Sequence, residues 1–236
     1  MKMFEGKTLI GVGCSHTYGE YQGDVQRETC HERSWVKKLE KLGNFKTSVN
    51  LGMPGSSNYR SERVLFKYLK NNVSEDLVVI FSITELSRTE FIDVTSGKPT
   101  DFFRIGSWMG NNDISMNTPK RVKEFVETYY GNFHDDKHDI DEINRKILMI
   151  HLLLKSLNIE HYFFEMLNVP GKLEESQFNF QLPLIPFRHH DGTKLNANGF
   201  LKYKNQQPGE CNHWDHAGNE FLATHLFEQI KEFKNE

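Results

Sequence analysis

The segment 76–83, DLVVIFSI, constrains the fold more strongly than any other part of the chain. Its apolar residues follow one another almost without interruption and do not alternate with polar residues. A strand with one face in water alternates, whereas a strand covered by helices on both faces is apolar throughout. The segment therefore predicts a central strand of a parallel sheet that is enclosed between helices.

Three further short segments, at 9–12, 47–51 and 161–164, are predicted to be strands. Between and after the strands, apolar residues recur at helical spacing, which predicts helices at 34–43, 58–69, 119–129, 139–157 and 218–233. Strands separated by helices require right-handed crossovers and form a parallel sheet. We expect a polar loop at 18–33, and we expect Ser57 or Asn58 to cap the second helix.

Length and composition fit one α/β domain spanning residues 1–236, with irregular insertions at about 93–119 and 168–207. The net charge is −3 and there is no long basic run, so neither a nucleic-acid nor a membrane partner is predicted. Three cysteines lack metal-ligand spacing and are interpreted as reduced thiols. The N-terminal residues lack a signal-peptide core and no run could span a membrane, so we expect a cytoplasmic protein.

The first predicted strand ends abruptly in GCSHT at 13–17. Gly13 permits a sharp reversal, because a residue without a Cβ adopts backbone conformations closed to others. Ser15 then lies at the carboxyl end of a strand, where open α/β sheets bind their ligands. Taken alone, this sequence describes an ordinary turn, and catalysis by Ser15 requires partner groups from elsewhere in the chain.

Those partner groups are available in two other predicted loops. His213 could accept the proton of Ser15, and Glu210 in the same turn could orient the imidazole. The pair formed by Asp215 and His216 is the alternative base, although Asp215 is equally suited to cap the last helix. Backbone N–H groups of Ser15 and Gly55, with the hydroxyl of Thr84, would bind the oxyanion.

Four blocks of this sequence resemble the conserved blocks of the SGNH hydrolases of the GDSL esterase/lipase superfamily, and they occur along the chain in the family's order. Gly13-Cys14-Ser15-His16-Thr17 is similar to the family's Gly-Asp-Ser-x-(Thr/Ser), and the block 50–57, NLGMPGSS, fits the second family motif. Ser82-Ile83-Thr84-Glu85 stands where the family has Gly-x-Asn-Asp. Glu210-Cys211-Asn212-His213 stands where it has Asp-x-x-His, and Ala223 is the small residue ten positions later.

The resemblance implies a flavodoxin-like three-layer α/β/α sandwich and a serine esterase that needs no cofactor or metal. Its substrate would be a small ester or an acylated carbohydrate. Three departures concern the site: Cys14 and Glu210 each replace an aspartate, and Thr84 replaces the asparagine that donates to the oxyanion. Losing such a donor raises the barrier by roughly 3–4 kcal/mol.

The sequence of the first block most resembles the corresponding block of SGNH-like proteins encoded by tailed bacteriophages. The presence of Thr84 with Arg88 after it is a second point of resemblance to these proteins. This similarity implies an alternative, a non-catalytic virion or attachment protein that forms homo-oligomers or binds other chains or glycans. Nucleotide binding is disfavoured, because the Gly13 turn has neither a dinucleotide fingerprint nor a P-loop lysine.

Two charged segments, at 88–90 and 134–138, are further candidates for functional sites. Arg88 and Glu90 follow the third strand, where they either line the pocket or form an ion pair that holds the loop. The segment 134–138, HDDKH, has no further ligand at zinc-type spacing and is interpreted as a solvated loop.

Overall fold

A computed structural model of the chain describes residues 3–22, 24, 26–92, 102–106, 120–167, 182–206, 208–209 and 213–235. The strands in these ranges are β1 (Thr8–Val12), β2 (Thr47–Asn50), β3 (Leu77–Ile83), β4 (Thr89–Ile92), β5 (Phe102–Ile105), β6 (Glu160–Glu165), β7 (Phe187–Arg188) and β8 (Lys194–Leu195). The helices are α1 (Ser15–Tyr18), α2 (Arg27–Arg33), α3 (Trp35–Gly43), α4 (Asn58–Leu69), α5 (Lys120–Asn132), α6 (Asp136–Ser156), α7 (Ala197–Tyr203) and α8 (His216–Asn235).

The central sheet has the order β2-β1-β3-β6, and each neighbouring pair of strands is parallel. This is the order of a flavodoxin-like doubly wound sheet. Beyond β6 the chain continues the sheet for one residue, because Leu184 forms a parallel bridge with Phe163. The predicted fold class, an α/β protein with a parallel sheet, is confirmed.

Successive residues of each strand contact opposite layers of helices. Leu9 packs with residues of α3 and α8, while Ile10 packs with residues of α4 and α6. All seven residues of β3 are buried, as the apolar run predicted. Burying one large apolar side chain contributes roughly 1.5–3 kcal/mol, so the two layers hold the sheet from both faces.

The helix boundaries follow local capping signals. Ser34 caps α3 by accepting a hydrogen bond from the Lys37 N–H, and Asn44 ends that helix in the left-handed region with φ +55°. Of the two candidate caps for α4, Ser57 is the residue that accepts from the Arg60 N–H. Asp215 accepts from the Gly218 N–H at 2.9 Å, which confirms its role as a cap.

Two stretches predicted to be irregular contain regular structure. The predicted loop 18–33 includes helix α2, in which Cys30 is the one buried residue. The described residues 182–206 of the second insertion contain the antiparallel pair β7–β8 and helix α7. These elements are too short, or too exposed, to produce a periodic apolar pattern. Most of the first insertion lies outside the described residues, but β5 within it pairs antiparallel with β4.

No helix in the described part of the chain is long and apolar enough to cross a membrane. In those same ranges no three histidine, cysteine or acidic side chains cluster closely enough to hold a metal ion. Of the two histidines in the 134–138 segment, His134 contacts carboxylates, since it lies 3.0 Å from both Asp136 and Asp139. Residues 136–138 of the predicted loop belong to the first turn of α6.

Candidate active site

The loop after β1 is shaped by Gly13. Its φ of +156° is unfavourable for other residues, and an added Cβ would lie 2.4 Å from Thr17 Oγ1 and 2.8 Å from Ser82 Cβ. The chain therefore turns sharply and starts the single-turn helix α1 at Ser15. Ser15 is 5% exposed, and none of the hydrogen bonds found in the described ranges involves its Oγ.

The second loop is tied to the first by Asn50 at the end of β2. The Asn50 amide donates to the Thr17 carbonyl oxygen at 2.7 Å, and its Oδ1 accepts from the Gly52 N–H at 2.9 Å. Gly52 approaches α1 so closely that an added Cβ would lie 2.6 Å from the Tyr18 nitrogen. The asparagine and first glycine of the second block thus fix the position of the serine loop.

Residues 53–56 form a β-turn in which the Ser56 N–H donates to the Met53 carbonyl oxygen at 3.1 Å. Pro54 and Gly55 occupy the central positions, and Gly55 has a φ of +65°. Proline followed by glycine is typical of a type II turn, whose third residue requires positive φ. These two central residues of the turn line the same cleft as Ser15.

Thr84, at the carboxyl end of β3, is held by Asn58 from α4. Asn58 Oδ1 accepts from the Thr84 N–H at 2.9 Å, and its amide donates to the Thr84 carbonyl oxygen at 3.0 Å. Thr84 is fully buried, and its Oγ1 has no hydrogen-bond partner within the described ranges. The cleft wall at this strand end is formed by Glu85 and Arg88 rather than by Thr84.

Of the two histidines considered as the base, His213 and His216, it is His213 that lines the cleft. Its backbone carbonyl accepts from the Gly209 N–H at 2.9 Å, and its Nε2 lies 3.8 Å from Glu20 Oε2. The rival candidate His216 is exposed, begins α8 and lies 2.7 Å from Lys38 Nζ. Glu210, the predicted partner of His213, lies outside the described residues.

Ser15, Gly55 and His213 line one open cleft of about 580 Å³ at the carboxyl edge of the parallel sheet. Four charged side chains share its wall, namely Glu20, Glu85, Arg88 and Lys202. Arg88 lines the cleft, and its Nε is 3.4 Å from Glu85 Oε2. Glu90 does not line the cleft and pairs with Arg63 at 3.1 Å.

His16 is a second histidine in the cleft, and sequence reasoning gave it no role. Burial, followed by the charges of His213, Arg88 and Lys202 in that order, lowers the pKa of His16 to about 3. The ring is therefore neutral at physiological pH, and its centroid is 4.9 Å from that of His213. The only sequence feature that could have indicated His16 as a cleft residue is its position directly after Ser15.

Helix α7 supplies two other cleft residues that the sequence did not indicate. Asn196 caps this helix through the Gly199 N–H at 2.7 Å, which fixes its first turn. Asn198 in that turn and Lys202 near its end both line the cleft. The helix lies in the stretch that was predicted to be irregular, so no pattern placed these residues near Ser15.

The fold of this chain is similar to the folds of a solved esterase and of a solved lipolytic protein of the G-D-S-L family. The psychrotrophic esterase EstA from Pseudoalteromonas sp., in a structure inhibited by monoethylphosphonate, is 13% identical with a TM-score of 0.51. That match covers 98% of this chain and 100% of EstA. A G-D-S-L family lipolytic protein from Veillonella parvula DSM 2008 is 14% identical with a TM-score of 0.50, covering 94% and 97% of the two chains.

No protein-family model and no curated protein matches the chain. At this level of identity the structural likeness concerns the fold. The resemblance to GDSL-type hydrolases predicted from four short sequence blocks is confirmed in that sense, and the similarity to phage-encoded proteins stays a prediction.

Proposed function

We propose that this chain is a serine ester hydrolase with Ser15 as nucleophile and His213 as general base. The observation that carries the proposal is the shared cleft, in which three distant loops bring Ser15, Gly55 and His213 to one cavity. A serine becomes a competent nucleophile when a neighbouring base accepts its proton, and this cleft offers both groups. The fold shared with the esterase EstA supports the same reaction class.

In the proposed reaction, Ser15 Oγ attacks the ester carbonyl while His213 accepts the hydroxyl proton. The backbone N–H groups of Ser15 and Gly55 donate to the oxyanion of the tetrahedral intermediate. His213 then returns the proton to the departing alcohol, and a water molecule hydrolyses the acyl-enzyme by the same route. We expect small esters or acylated carbohydrates as substrates, and no cofactor or metal takes part in these steps.

Two carboxylates compete for the role of orienting His213. Glu210 occupies the family's position for this residue, whereas Glu20 lies 3.8 Å from His213 Nε2, on the side that must face Ser15. We propose that Glu210 fixes the tautomer and that Glu20 borders the cleft. Glu210→Gln is then expected to lower kcat by about 10²- to 10⁴-fold, because an orienting carboxylate sets the tautomer of the base. Glu20→Gln, the matched control, is expected to reduce kcat much less, and the reverse order would assign the role to Glu20.

A non-catalytic binding role is the second candidate, and the burial of Thr84 is the observation that favours it. With Thr84 enclosed, the side-chain donor of the oxyanion hole is missing, and such a loss raises the barrier by roughly 3–4 kcal/mol. Under this alternative the chain assembles with other chains or binds glycans. A large homo-oligomer in size-exclusion chromatography, combined with no esterase activity, would favour that role.

The direct test compares turnover of a short-chain nitrophenyl ester by the wild type, Ser15→Ala and Ser156→Ala. Ser156 is an exposed serine at the end of α6, so its variant controls for the loss of a hydroxyl. We expect Ser15→Ala to fall to the background rate and Ser156→Ala to match the wild type. Equal activity in all three proteins would contradict the proposal.

A further inference from the structure

A second cavity of about 500 Å³ lies beside the cleft, across the turn 53–56. Its charged lining residues in the described ranges are Arg27, Arg60 and Arg104, and no acidic side chain borders it. A smaller cavity of about 180 Å³ shares Tyr18, Arg27 and Asn50 with it and likewise has no acidic lining residue in the described ranges. We call the larger cavity the arginine groove.

The three arginines come from three separate elements, α2, α4 and β5, and none forms an ion pair in the described part of the chain. Their hydrogen bonds reach neutral oxygens instead. Arg60 Nη1 donates to the Leu51 carbonyl oxygen at 3.2 Å, and Arg104 Nη1 donates to the Pro54 carbonyl oxygen. By contrast, the nearby Arg63 contacts both carboxylate oxygens of Glu90 at 3.1 Å.

Within the described residues, no carboxylate is therefore paired with an arginine of the groove. Burial and then the charges of Arg104 and Arg63 lower the pKa of Arg60 to about 10, against a smaller opposing effect of the Glu90 carboxylate. Arg60 remains protonated at neutral pH, so the folded chain keeps mutually repelling guanidinium groups together. Such repulsion costs stability that a bound anion would recover. The whole chain has a net charge of −3, which makes this concentration of positive charge a local feature.

The groove and the cleft meet at the Pro54–Gly55 turn. Pro54 lines both cavities, and an added Cβ on Gly55 would lie 3.8 Å from Arg104 Nη1. Helix α1 has Ser15 at its start, in the cleft, and Tyr18 at its end, in the groove. A molecule seated in the groove can therefore extend over this turn toward Ser15.

We propose that the arginine groove binds a phosphate or carboxylate group. Guanidinium groups form paired hydrogen bonds with the oxygens of both anions, and the groove's volume suits a ligand of sugar size. On the basis of the proposed ester hydrolysis, the substrate is an ester that carries such an anionic group beyond its ester bond.

Isothermal titration with inorganic pyrophosphate and with citrate tests the binding, because the two probes separate phosphate from carboxylate recognition. Arg27→Gln removes an exposed arginine without a hydrogen bond in the described ranges, and Arg104→Gln keeps a donor for the Pro54 carbonyl. Arg145→Gln is the matched control, since Arg145 pairs with Glu142 on the exposed face of α6. We expect binding in the control and about tenfold weaker binding in each groove variant.

Failure to bind either probe, or equal weakening in Arg145→Gln, would overturn the anion site. Binding is measured without turnover, so it is independent of the esterase proposal, and Ser15→Ala is expected to bind the probe like the wild type. The substrate class is tested by the kcat/KM ratio for mono-4-nitrophenyl succinate over 4-nitrophenyl acetate. This ratio is expected to fall in Arg27→Gln but not in Arg145→Gln, and an unchanged ratio in both would contradict an anionic substrate.

Discussion

Replacing His16 by phenylalanine is expected to flatten the dependence of the protein's stability on pH in weak acid. His16 is 7% exposed, and its Nδ1 is buried without a hydrogen-bond partner in the described ranges. Burial is the main reason that its pKa is lowered to about 3. Phenylalanine keeps an aromatic ring against His213 but cannot bind a proton. The substitution therefore removes one titration and preserves the ring contact.

The sign and size follow from the pKa of His16 in the two states. In the unfolded chain its pKa is 6.5, so between pH 6.5 and about 3 the unfolded state binds a proton that the folded state does not. The stability due to His16 is present in full above the unfolded pKa and is lost as pH falls toward the folded pKa. Between pH 8 and pH 5 this loss amounts to about 2 kcal/mol, and His16→Phe lacks it.

Urea unfolding of both proteins at pH 8 and at pH 5 measures this quantity. The difference at pH 8 reports the change in packing, and the change in that difference between the two pH values reports the titration of His16. Burial also lowers the pKa values of His31, His151, His161 and His225, but both proteins share these residues and their effects cancel. An equal loss of stability in both proteins on going to pH 5 would refute a neutral, buried His16.

Two other substitutions test how the loops are built. Gly13→Ala is expected to destabilise the fold by about 1–3 kcal/mol, because the new Cβ would clash with Thr17 and Ser82 and the backbone has positive φ. Urea unfolding should show a lower midpoint for the variant, and an unchanged midpoint would contradict this prediction. Asn58→Ala leaves the buried Thr84 N–H and carbonyl without their partner, which costs about 2–4 kcal/mol. Urea unfolding checks that value, and a loss below about 0.5 kcal/mol would mean that water replaces the amide.

The sheet was predictable because its signal is local. The apolar residues of β3 leave water only if helices cover both faces of the strand, and each of its residues is buried. The cleft was predicted in outline for a similar reason, since parallel strands end at the same edge and carry their loops there. This argument applies to Ser15 and Gly55, whereas His213 was selected by the resemblance to the SGNH hydrolases, and all three residues line one cavity. Glu210 stays a prediction, because it lies outside the described residues.

The residues that sequence reasoning missed depend on tertiary contacts. Asn58 was considered as a helix cap, but Ser57 caps α4 and the Asn58 amide is paired with Thr84 across 26 residues of sequence. The arginine groove could not be predicted from the sequence either, because Arg27 and Arg104 lie in stretches predicted to be irregular. The elements α2 and β5 are too short to produce a periodic apolar pattern, although they position these charges.

Labelling of the folded protein with a fluorophosphonate probe tests most directly whether Ser15 is an activated nucleophile. Peptide mass spectrometry locates the phosphonyl group, and Ser15→Ala is the control for reaction elsewhere. The expected result is one adduct on Ser15 and none in the variant, because only a serine with a working base reacts rapidly. A folded wild-type protein that remains unlabelled, or carries the label on another residue, would contradict the proposed role of Ser15.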